Sequence, residues 1–167
     1  MPFADELLGL ARDLAGRQSE TLREVSLRRA VSTAYYALFH LLISEATLNW
    51  GRAELRPALG RLFEHGKMAS ASERMAGEIN AYFKKKPPEG PELTIAKKLY
   101  IVVNTFVEAQ QSRNAADYDT SRVWTQVDAL DLIALVATAF ESWNAIREEP
   151  VAQAYLVSLL GKDRARG

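Results

Sequence analysis

The chain has 167 residues, of which 21 are basic and 21 are acidic, so its formal net charge is zero. This balance gives no overall field that would direct the protein to nucleic acid or to an anionic membrane, although local charged patches remain compatible with it. Apolar residues make up 48% of the sequence, which suits one domain with a continuous core, and the absence of cysteine excludes disulfide bonds and thiolate zinc sites.

The first half of the chain begins with two predicted helices, over residues 3–15 and residues 21–49. Thr21 and Glu24 have the spacing of a capping box, in which two side chains satisfy backbone N–H groups of the first turn. The first helix is predicted to bury Leu7, Leu10, Ala11 and Leu14. The second is the predicted central helix, and its buried stripe consists of Leu27, Val31, Ala34, Tyr35, Leu38 and Leu42.

The middle of the chain is predicted to contain two further helices and a loop. One helix begins at Pro57, where the missing N–H costs nothing, and ends at Gly66. Ser70 and Glu73 have capping-box spacing and are predicted to open the next helix. The pattern then breaks at residues 84–92, where three lysines are followed by two prolines, and this stretch is predicted to be an exposed loop.

Two long helices are predicted in the second half of the chain, over residues 94–113 and about 120–147. Asp119 or Thr120 is the predicted N-cap of the second of them. Its buried stripe is predicted to consist of Val123, Val127, Leu130, Ile133, Ala134, Ala137 and Phe140.

A short helix over residues 150–160 and a frayed tail over residues 162–167 complete the prediction. Three long amphipathic helices, helped by shorter ones, can bury one another's apolar faces. Residues 1–167 are therefore predicted to form a single all-α domain, an antiparallel up-and-down bundle with extra short helices.

Motifs of the common enzyme classes are missing from the sequence. No glycine-rich phosphate loop, dinucleotide fingerprint or nucleophile elbow is present, so no cofactor is expected. Neither His40 nor His65 has a glutamate three residues earlier, and no metal site is expected. The longest stretch without a charged residue, 30–44, is shorter than the roughly 20 residues that cross a bilayer, so we expect a cytoplasmic protein without a membrane segment.

Two segments stand out from this background. Residues 27–40 read LRRAVSTAYYALFH, and residues 110–119 read QQSRNAADYD. In this order and separation they resemble the HEPN family (higher eukaryotes and prokaryotes nucleotide-binding domain). Members of that family carry an Arg–Ser–x–x–Tyr–Tyr–Ala–x–Phe-like segment on an early helix and, later, an Arg followed by Ala–Asp–Tyr or by a histidine. The resemblance covers about residues 23–147.

The resemblance implies a helical bundle that pairs as a homodimer. In active family members an arginine, followed after four to six residues by a histidine, lies at a dimer cleft. The arginine holds the scissile phosphate of RNA, and the histidine assists attack by the 2′-hydroxyl without a metal, which suits the chemistry of both side chains. The resemblance also implies RNA or a nucleotide as ligand, and a nucleotidyltransferase partner in a toxin–antitoxin or defence pair.

The sequence departs from the family pattern at the histidine. The allowed positions after Arg113 hold Tyr118, Asp119 and Thr120. A tyrosine hydroxyl is a poor general base at neutral pH, and a carboxylate repels phosphate, so the usual cleavage reaction is not expected. The resemblance therefore implies a binding or regulatory protein, with ligand contacts from Arg113, Asn114, Asp117, Tyr118, Tyr35 and Tyr36.

Two other interpretations stay open. In the first, the chain is a metal-independent endoribonuclease that uses Arg113 with Tyr118 or Asp119 as the proton acceptor. In the second, it is a non-enzymatic dimerisation scaffold, and Arg113 and Asp117 form a structural ion pair one helical turn apart. His40 is expected to lie in the core or at the edge of the central helix.

Overall fold

The structure is a computed structural model that describes residues 2–85 and 89–161. Within these ranges the chain forms seven α-helices and one 3-10 turn, and no strand. The helices are α1 (Pro2–Ala15), α2 (Arg23–Leu48), α3 (Arg56–Gly60), α4 (His65–Lys85), α5 (Gly90–Tyr118), α6 (Gln126–Ile146) and α7 (Pro150–Ser158), and the 3-10 turn is Ala53–Leu55. The predicted all-α bundle is confirmed.

Helix α2 lies at the centre of the bundle and packs against α1, α5 and α6. Every residue of its predicted stripe is buried, from Leu27 to Leu42. The same core contains the fully buried rings of Phe106, Trp143 and Tyr155. Full burial of a large apolar side chain stabilises the fold by roughly 1.5–3 kcal/mol, so the buried stripe holds α2, with the polar residues that it carries, in the bundle.

Helix α1 matches its predicted bounds to within one residue, and its predicted face packs on the core at Leu7, Ala11 and Leu14 but not at Leu10. Ala11 is buried as predicted, whereas Leu10 is exposed and Leu8 packs in the core. Both leucines lie within a helix that is rich in apolar residues, so spacing alone did not select the buried one.

The N-terminus of α2 also differs from its prediction. The helix begins at Arg23 without a side-chain cap, and the predicted capping box of Thr21 and Glu24 is wrong. The Glu24 carboxylate instead accepts a hydrogen bond from Arg28 Nε at 3.0 Å and from the Trp124 backbone N–H at 3.4 Å. A charged donor forms a stronger hydrogen bond with a carboxylate than a backbone N–H does, and this favours the observed pairing.

The helices in the middle of the chain have different bounds from those predicted. Helix α3 is shorter than predicted, and α4 begins at His65. Ser70 therefore lies inside α4, and its predicted capping box with Glu73 is wrong. Helix α4 begins before the predicted start at Ser70, because the Met68 N–H donates a hydrogen bond to the Glu64 carbonyl at 3.0 Å.

The connection between α4 and α5 is shorter than the loop predicted at residues 84–92. Helix α4 includes the first two lysines of this stretch, and α5 begins at Gly90, whose φ of 61° is accessible to glycine without strain. Pro91 follows in the first turn of α5, where a missing N–H is tolerated. Residues 86–88, and the predicted frayed tail at 162–167, lie outside the described residues.

Helix α5 is longer than predicted. It continues beyond Arg113 to Tyr118, so residues 114–118, which lay between the two predicted helices, form its last turns. Its polar side chains therefore follow helical spacing, which places Arg113 and Asp117 one turn apart on the same face.

The N-cap of α6 is Thr125, and the prediction of Asp119 or Thr120 is wrong. Thr125 Oγ1 accepts a hydrogen bond from the Asp128 N–H at 3.1 Å, and the Asp128 carboxylate accepts one from the Thr125 N–H at 2.9 Å. This reciprocal capping box satisfies two N-terminal donors and fixes the start of the helix further along the chain than predicted.

The buried face of α6 differs from the predicted stripe. Ile133 and Phe140 are buried as predicted, but Val123, Val127 and Leu130 are exposed, by 77%, 65% and 44%. The buried face consists of Ala129, Leu132, Ile133, Val136, Ala139, Phe140, Trp143 and Ile146. Apolar residues occupy more than one side of this helix, so periodicity alone does not identify the side that packs on the bundle.

Helix α6 is long and apolar enough, by length and composition, to cross a membrane. Half of its most apolar window is buried inside the protein, where the helix packs against α2 and α5. Such burial is typical of the core helix of a soluble bundle, and no other helix in the described ranges has this length and composition.

Candidate functional site

The segments 27–40 on α2 and 110–119 at the end of α5 contact each other directly through their side chains. Arg113 Nη2 on α5 donates a hydrogen bond to the Tyr36 hydroxyl on α2 at 2.8 Å. One turn away, Ser32 Oγ on α2 donates to the carboxylate of Asp117 on α5. The residue order shows that the two helices run antiparallel here, and helical spacing on both sides places the four side chains in one block.

Arg28 fixes the end of α5 against α2. Its guanidinium donates to the backbone carbonyls of Ala116 and Asp119, at 2.8 and 2.9 Å, and to that of Arg122 at 2.5 Å. The last carbonyls of a helix have no partner within the helix and carry partial negative charge, so a guanidinium is well suited to cap them. Sequence spacing gave no signal for this role, because the acceptors are backbone atoms that lie 88 to 94 residues further along the chain.

The Arg113 guanidinium is partly exposed, and each of its terminal nitrogens donates one hydrogen bond to a described residue. Its side chain is 16% exposed, and Nη1 donates to Asn114 Oδ1 at 2.9 Å while Nη2 donates to Tyr36. Nε faces Asp117 Oδ2 at 3.2 Å, the ion pair that the sequence predicted, without hydrogen-bond geometry. Burial lowers the pKa of Arg113, but the Tyr36 hydroxyl and the Asp117 carboxylate raise it, and the net direction is upward, so the group stays charged.

His65, in the first turn of α4, joins this cluster from a third helix. Its Nδ1 lies 2.6 Å from the Tyr35 hydroxyl, and its ring stacks on Phe39 with the ring centroids 4.2 Å apart. Tyr35 is fully buried, so its hydroxyl needs a partner inside the bundle, and burial holds the pKa of that hydroxyl far above its usual range. His65 was not among the predicted site residues, because no local spacing relates it to α2.

His65 and Arg113 lie against the same pair of tyrosine rings. The Tyr35 and Tyr36 ring centroids are 5.7 and 5.5 Å from Arg113 Cζ, and 5.6 and 5.9 Å from the imidazole centroid. Burial lowers the pKa of His65, and the charges of Arg113 and His40 lower it further, which favours the neutral ring. When Nδ1 of the neutral ring carries the proton, Nε2 has a free lone pair and can accept a proton.

His40 lies at the edge of the core, in agreement with the prediction. Its ring makes edge-on contacts with Phe3 and Phe39, at centroid distances of 5.0 and 5.3 Å. Burial lowers the pKa of His40, and the contacts of its ring are those of a packing residue.

Tyr118 and Asp119, the predicted proton acceptors, lie at the C-terminal end of α5. Tyr118 is 74% exposed, and its influence on the pKa of Arg113 is a minor one. The Asp119 carboxylate accepts hydrogen bonds from the Ser121 N–H and hydroxyl, at 3.0 and 2.5 Å, and these hold the pKa of Asp119 below its usual range. Neither side chain forms a hydrogen bond or ion pair with Arg113 in the structure.

Two shallow clefts of about 380 and 580 Å³ adjoin the cluster, and both are lined by Arg28 and Asp117. Exposed Arg29 and Tyr118 line the smaller cleft. Exposed Arg122 lines the larger one, and its guanidinium lies over the Trp124 ring, 3.8 Å from the centroid. An exposed aromatic ring and two exposed guanidinium groups therefore border the end of α5. We call this surface the arginine groove.

The charge balance of the arginine groove is positive. Three arginines line the two clefts, Arg28, Arg29 and Arg122, against the two carboxylates of Glu24 and Asp117. Arg113 lines neither cleft and is paired with Asp117 beside them. Arg29 and Arg122 form no ion pair among the described residues. The groove is thus weakly basic within a chain of zero net charge.

Across residues 2–85 and 89–161, no group of three or more histidine, aspartate or glutamate side chains is placed to hold a metal ion. Comparisons of the chain with protein-family models, with curated proteins and with solved structures find no match. The chemistry of the cluster is therefore inferred from its geometry.

Proposed function

We propose that this chain is a HEPN-like cytoplasmic protein that binds RNA or a nucleotide at the junction of α2 and α5, as a binding or regulatory component. The observation that carries the proposal is the Arg113 guanidinium, which is held by Tyr36 and faces Asp117 while each of its terminal nitrogens donates one hydrogen bond to a described residue. This guanidinium lies where the two segments that resemble the HEPN family meet.

A phosphate is the anion that best suits Arg113. A guanidinium presents its donors as a planar fork that matches two phosphate oxygens. Tyr36 and Asn114 each accept one hydrogen bond, which orients the fork, while the Asp117 carboxylate balances its charge from the Nε side. Each terminal nitrogen carries two N–H groups, of which the described residues engage one, so the other can donate to an anion.

The arginine groove favours a single-stranded nucleic acid over a bare phosphate. Tyr118 offers an exposed ring on which a base can stack, a contact that contributes about 1–3 kcal/mol per base. Arg29 and Arg122 supply two charges for neighbouring phosphates. Because only a few charges are available, we expect modest affinity with a shallow dependence on salt.

Partner proteins form part of the proposal. The family resemblance implies a homodimer and a nucleotidyltransferase partner in a toxin–antitoxin or defence pair. Exposed Val127 and Leu130 on α6 support a contact with another protein, because association would remove their apolar surface from water.

Fluorescence anisotropy with a labelled single-stranded RNA of mixed sequence, in EDTA, tests the proposed binding. Arg113→Lys keeps the charge but loses the fork, and it should weaken binding about tenfold, a change of about 1.4 kcal/mol. Arg29→Ala should weaken binding less, because it removes one exposed phosphate contact. Arg61→Ala removes an exposed arginine outside the groove and is the matched control.

Unchanged affinity for Arg113→Lys, or equal losses for Arg29→Ala and Arg61→Ala, would contradict the proposal. Circular dichroism of each variant establishes that the helical bundle is intact. With an intact bundle, a change in affinity reports on the groove rather than on folding.

A metal-independent ribonuclease is the second candidate, and the position of His65 favours it. In this reaction the ribose 2′-oxygen attacks the adjacent phosphorus and its proton passes to the imidazole of His65. The bond from phosphorus to the 5′-oxygen breaks, and the leaving oxygen takes a proton from water. Arg113 would stabilise the charge on the phosphate oxygens, and the lowered pKa of His65 favours the neutral ring that a general base requires.

Incubation of the pure protein with mixed RNA in EDTA tests this second candidate. Cleavage by the wild type that is lost in both His65→Gln and Arg113→Lys is the expected result if the site is catalytic. RNA binding without cleavage would remove the ribonuclease and leave the binding proposal in place.

A further inference from the structure

A cleft of about 530 Å³ opens between α4, α5 and the start of α7, and it shares no lining residue with the cluster around Arg113. Its apolar lining includes buried Ile79 and Leu99, together with the partly exposed Met75 and Ile95. This volume lies within the range of about 300–1,000 Å³ that is typical of small-molecule sites. The cleft is therefore large enough for a compact organic ligand.

Three carboxylates line the same cleft, and none of its lining residues within 2–85 and 89–161 is a lysine or arginine. Glu78 comes from α4, Glu92 from the first turn of α5, and Glu149 is the N-cap residue of α7. The Tyr82 hydroxyl donates to Glu92 at 3.2 Å and so orients that carboxylate. Glu78 and Glu149 form no ion pair with any side chain that the structure describes.

The helix dipoles do not cancel this negative charge. The N-termini of α5 and α7 both lie at the cleft, and each is equivalent to roughly half a positive charge. Three carboxylates against two such ends leave about two negative charges beside an apolar surface. This combination disfavours an anionic ligand and favours a ligand that joins an apolar body to a positive charge.

We propose that this cleft binds a small organic cation with an apolar body, of the alkylammonium class. The apolar part would cover Ile79, Ile95 and Leu99, and the cationic head would lie among the carboxylates. The Tyr82 ring, which is partly exposed at the cleft, provides a face for a cation–π contact with the same head group. This site is independent of the proposed RNA-binding function.

Titration of the full-length chain with hexyltrimethylammonium, hexanol and hexanoate, followed by two-dimensional NMR, tests the proposal. The three probes share a six-carbon chain and differ in charge. The cation should shift the amide signals of Ile95, Ala96 and Val151 in a saturable way, with an affinity about tenfold or more above that of hexanoate. Hexanol should lie between the two.

Two variants locate the effect at the cleft. Glu92→Gln removes one carboxylate while keeping its size, and it should weaken binding of the cation about three- to tenfold, whereas Glu141→Gln, at an exposed position of α6, should leave it unchanged. Ala96→Phe places a ring in the cleft and should weaken all three probes. Equal affinity for the cation and hexanoate, saturable shifts elsewhere only, or equal behaviour of the two glutamate variants would overturn the proposal.

Discussion

The side chain of Tyr35 is fully buried, and its hydroxyl needs a hydrogen-bond partner inside the bundle. Its hydroxyl is hydrogen-bonded to His65, which joins the first turn of α4 to the centre of α2. An unpaired buried hydroxyl costs about 1–3 kcal/mol, so the contact has a structural value before any ligand is considered. The same contact brings an imidazole to the tyrosine pair that Arg113 touches.

The lowered pKa of His65 predicts that stability depends on pH. The folded state disfavours the protonated ring, so between the folded and unfolded pKa values the unfolded chain binds more protons. The contribution of neutral His65 to stability is therefore complete above its unfolded pKa and decreases as the pH falls towards the folded value. Urea unfolding at about pH 7.5 and about pH 5.5 should show a loss for the wild type and a smaller loss for His65→Gln. An equal loss in both proteins would show that His65 is not responsible.

Some residues of the site could be predicted from the sequence and others could not, for physical reasons. Arg113 and Asp117 are four positions apart, so helical geometry alone predicted their ion pair. Tyr36 entered the predicted site through the family resemblance rather than through spacing. His65 is 30 residues from its hydrogen-bond partner Tyr35, and a contact of that kind becomes visible only when the helices are packed.

At the scale of single elements, the end of α5 depends on Arg28. Arg28→Ala removes three hydrogen bonds to backbone carbonyls and should lower the free energy of unfolding by about 1.5–3 kcal/mol. Arg29→Ala, at the next position on an exposed side chain, should change it by less than about 0.5 kcal/mol. Urea unfolding gives both values, and hydrogen exchange should become faster over residues 116–122 in the first variant only. Similar unfolding free energies for the two variants would contradict this role.

The start of α6 offers a second matched pair of variants. Thr125→Ala removes the hydroxyl that accepts the Asp128 N–H and should cost about 1 kcal/mol of stability. Thr120→Ala, at one of the positions predicted from sequence, should have little effect because α6 does not begin there. Thermal unfolding followed by circular dichroism measures both, and a larger loss for Thr120→Ala would favour the predicted boundary.

Helices α2 and α6 show which elements the sequence predicts well. Every residue of the predicted α2 stripe is buried, because polar residues such as Arg29 interrupt the other side of the first turns, although the structure also buries Ala30, Ala37, Phe39 and Leu41. In α6 apolar residues occupy several sides, and packing on α2 and α5 decides that Val127 and Leu130 remain exposed. The helix ends were less predictable, because carboxylates with capping-box spacing can find better partners in the folded protein.

At the scale of the whole molecule, the exposed apolar residues of α6 bear on the proposed homodimer. If α6 forms the contact, sedimentation equilibrium should give a dimer for the wild type, and Leu130→Glu should shift the population towards monomer by placing a charge in an apolar interface. Glu141→Gln serves as the control on the same helix. A wild type that is monomeric across the whole concentration range would contradict the homodimer.

The whole molecule also combines two surfaces of opposite charge within a chain of zero net charge. The arginine groove at the end of α5 is weakly basic, and the cleft beside α7 is acidic. Both are local, so neither was evident from the overall composition. Their separation predicts that an anionic and a cationic ligand bind without competing directly.

The most direct test of the proposed RNA-binding site is a two-dimensional NMR titration of the full-length chain with a short single-stranded RNA in EDTA. We expect saturable shifts centred on residues 28–36, on residues 113–118 and on His65, with little change at the acidic cleft. We also expect that Arg113→Lys reduces these shifts while the helical bundle stays intact. Saturable shifts located elsewhere, or no shift at all, would contradict the assignment of the Arg113 cluster as an RNA- or nucleotide-binding site.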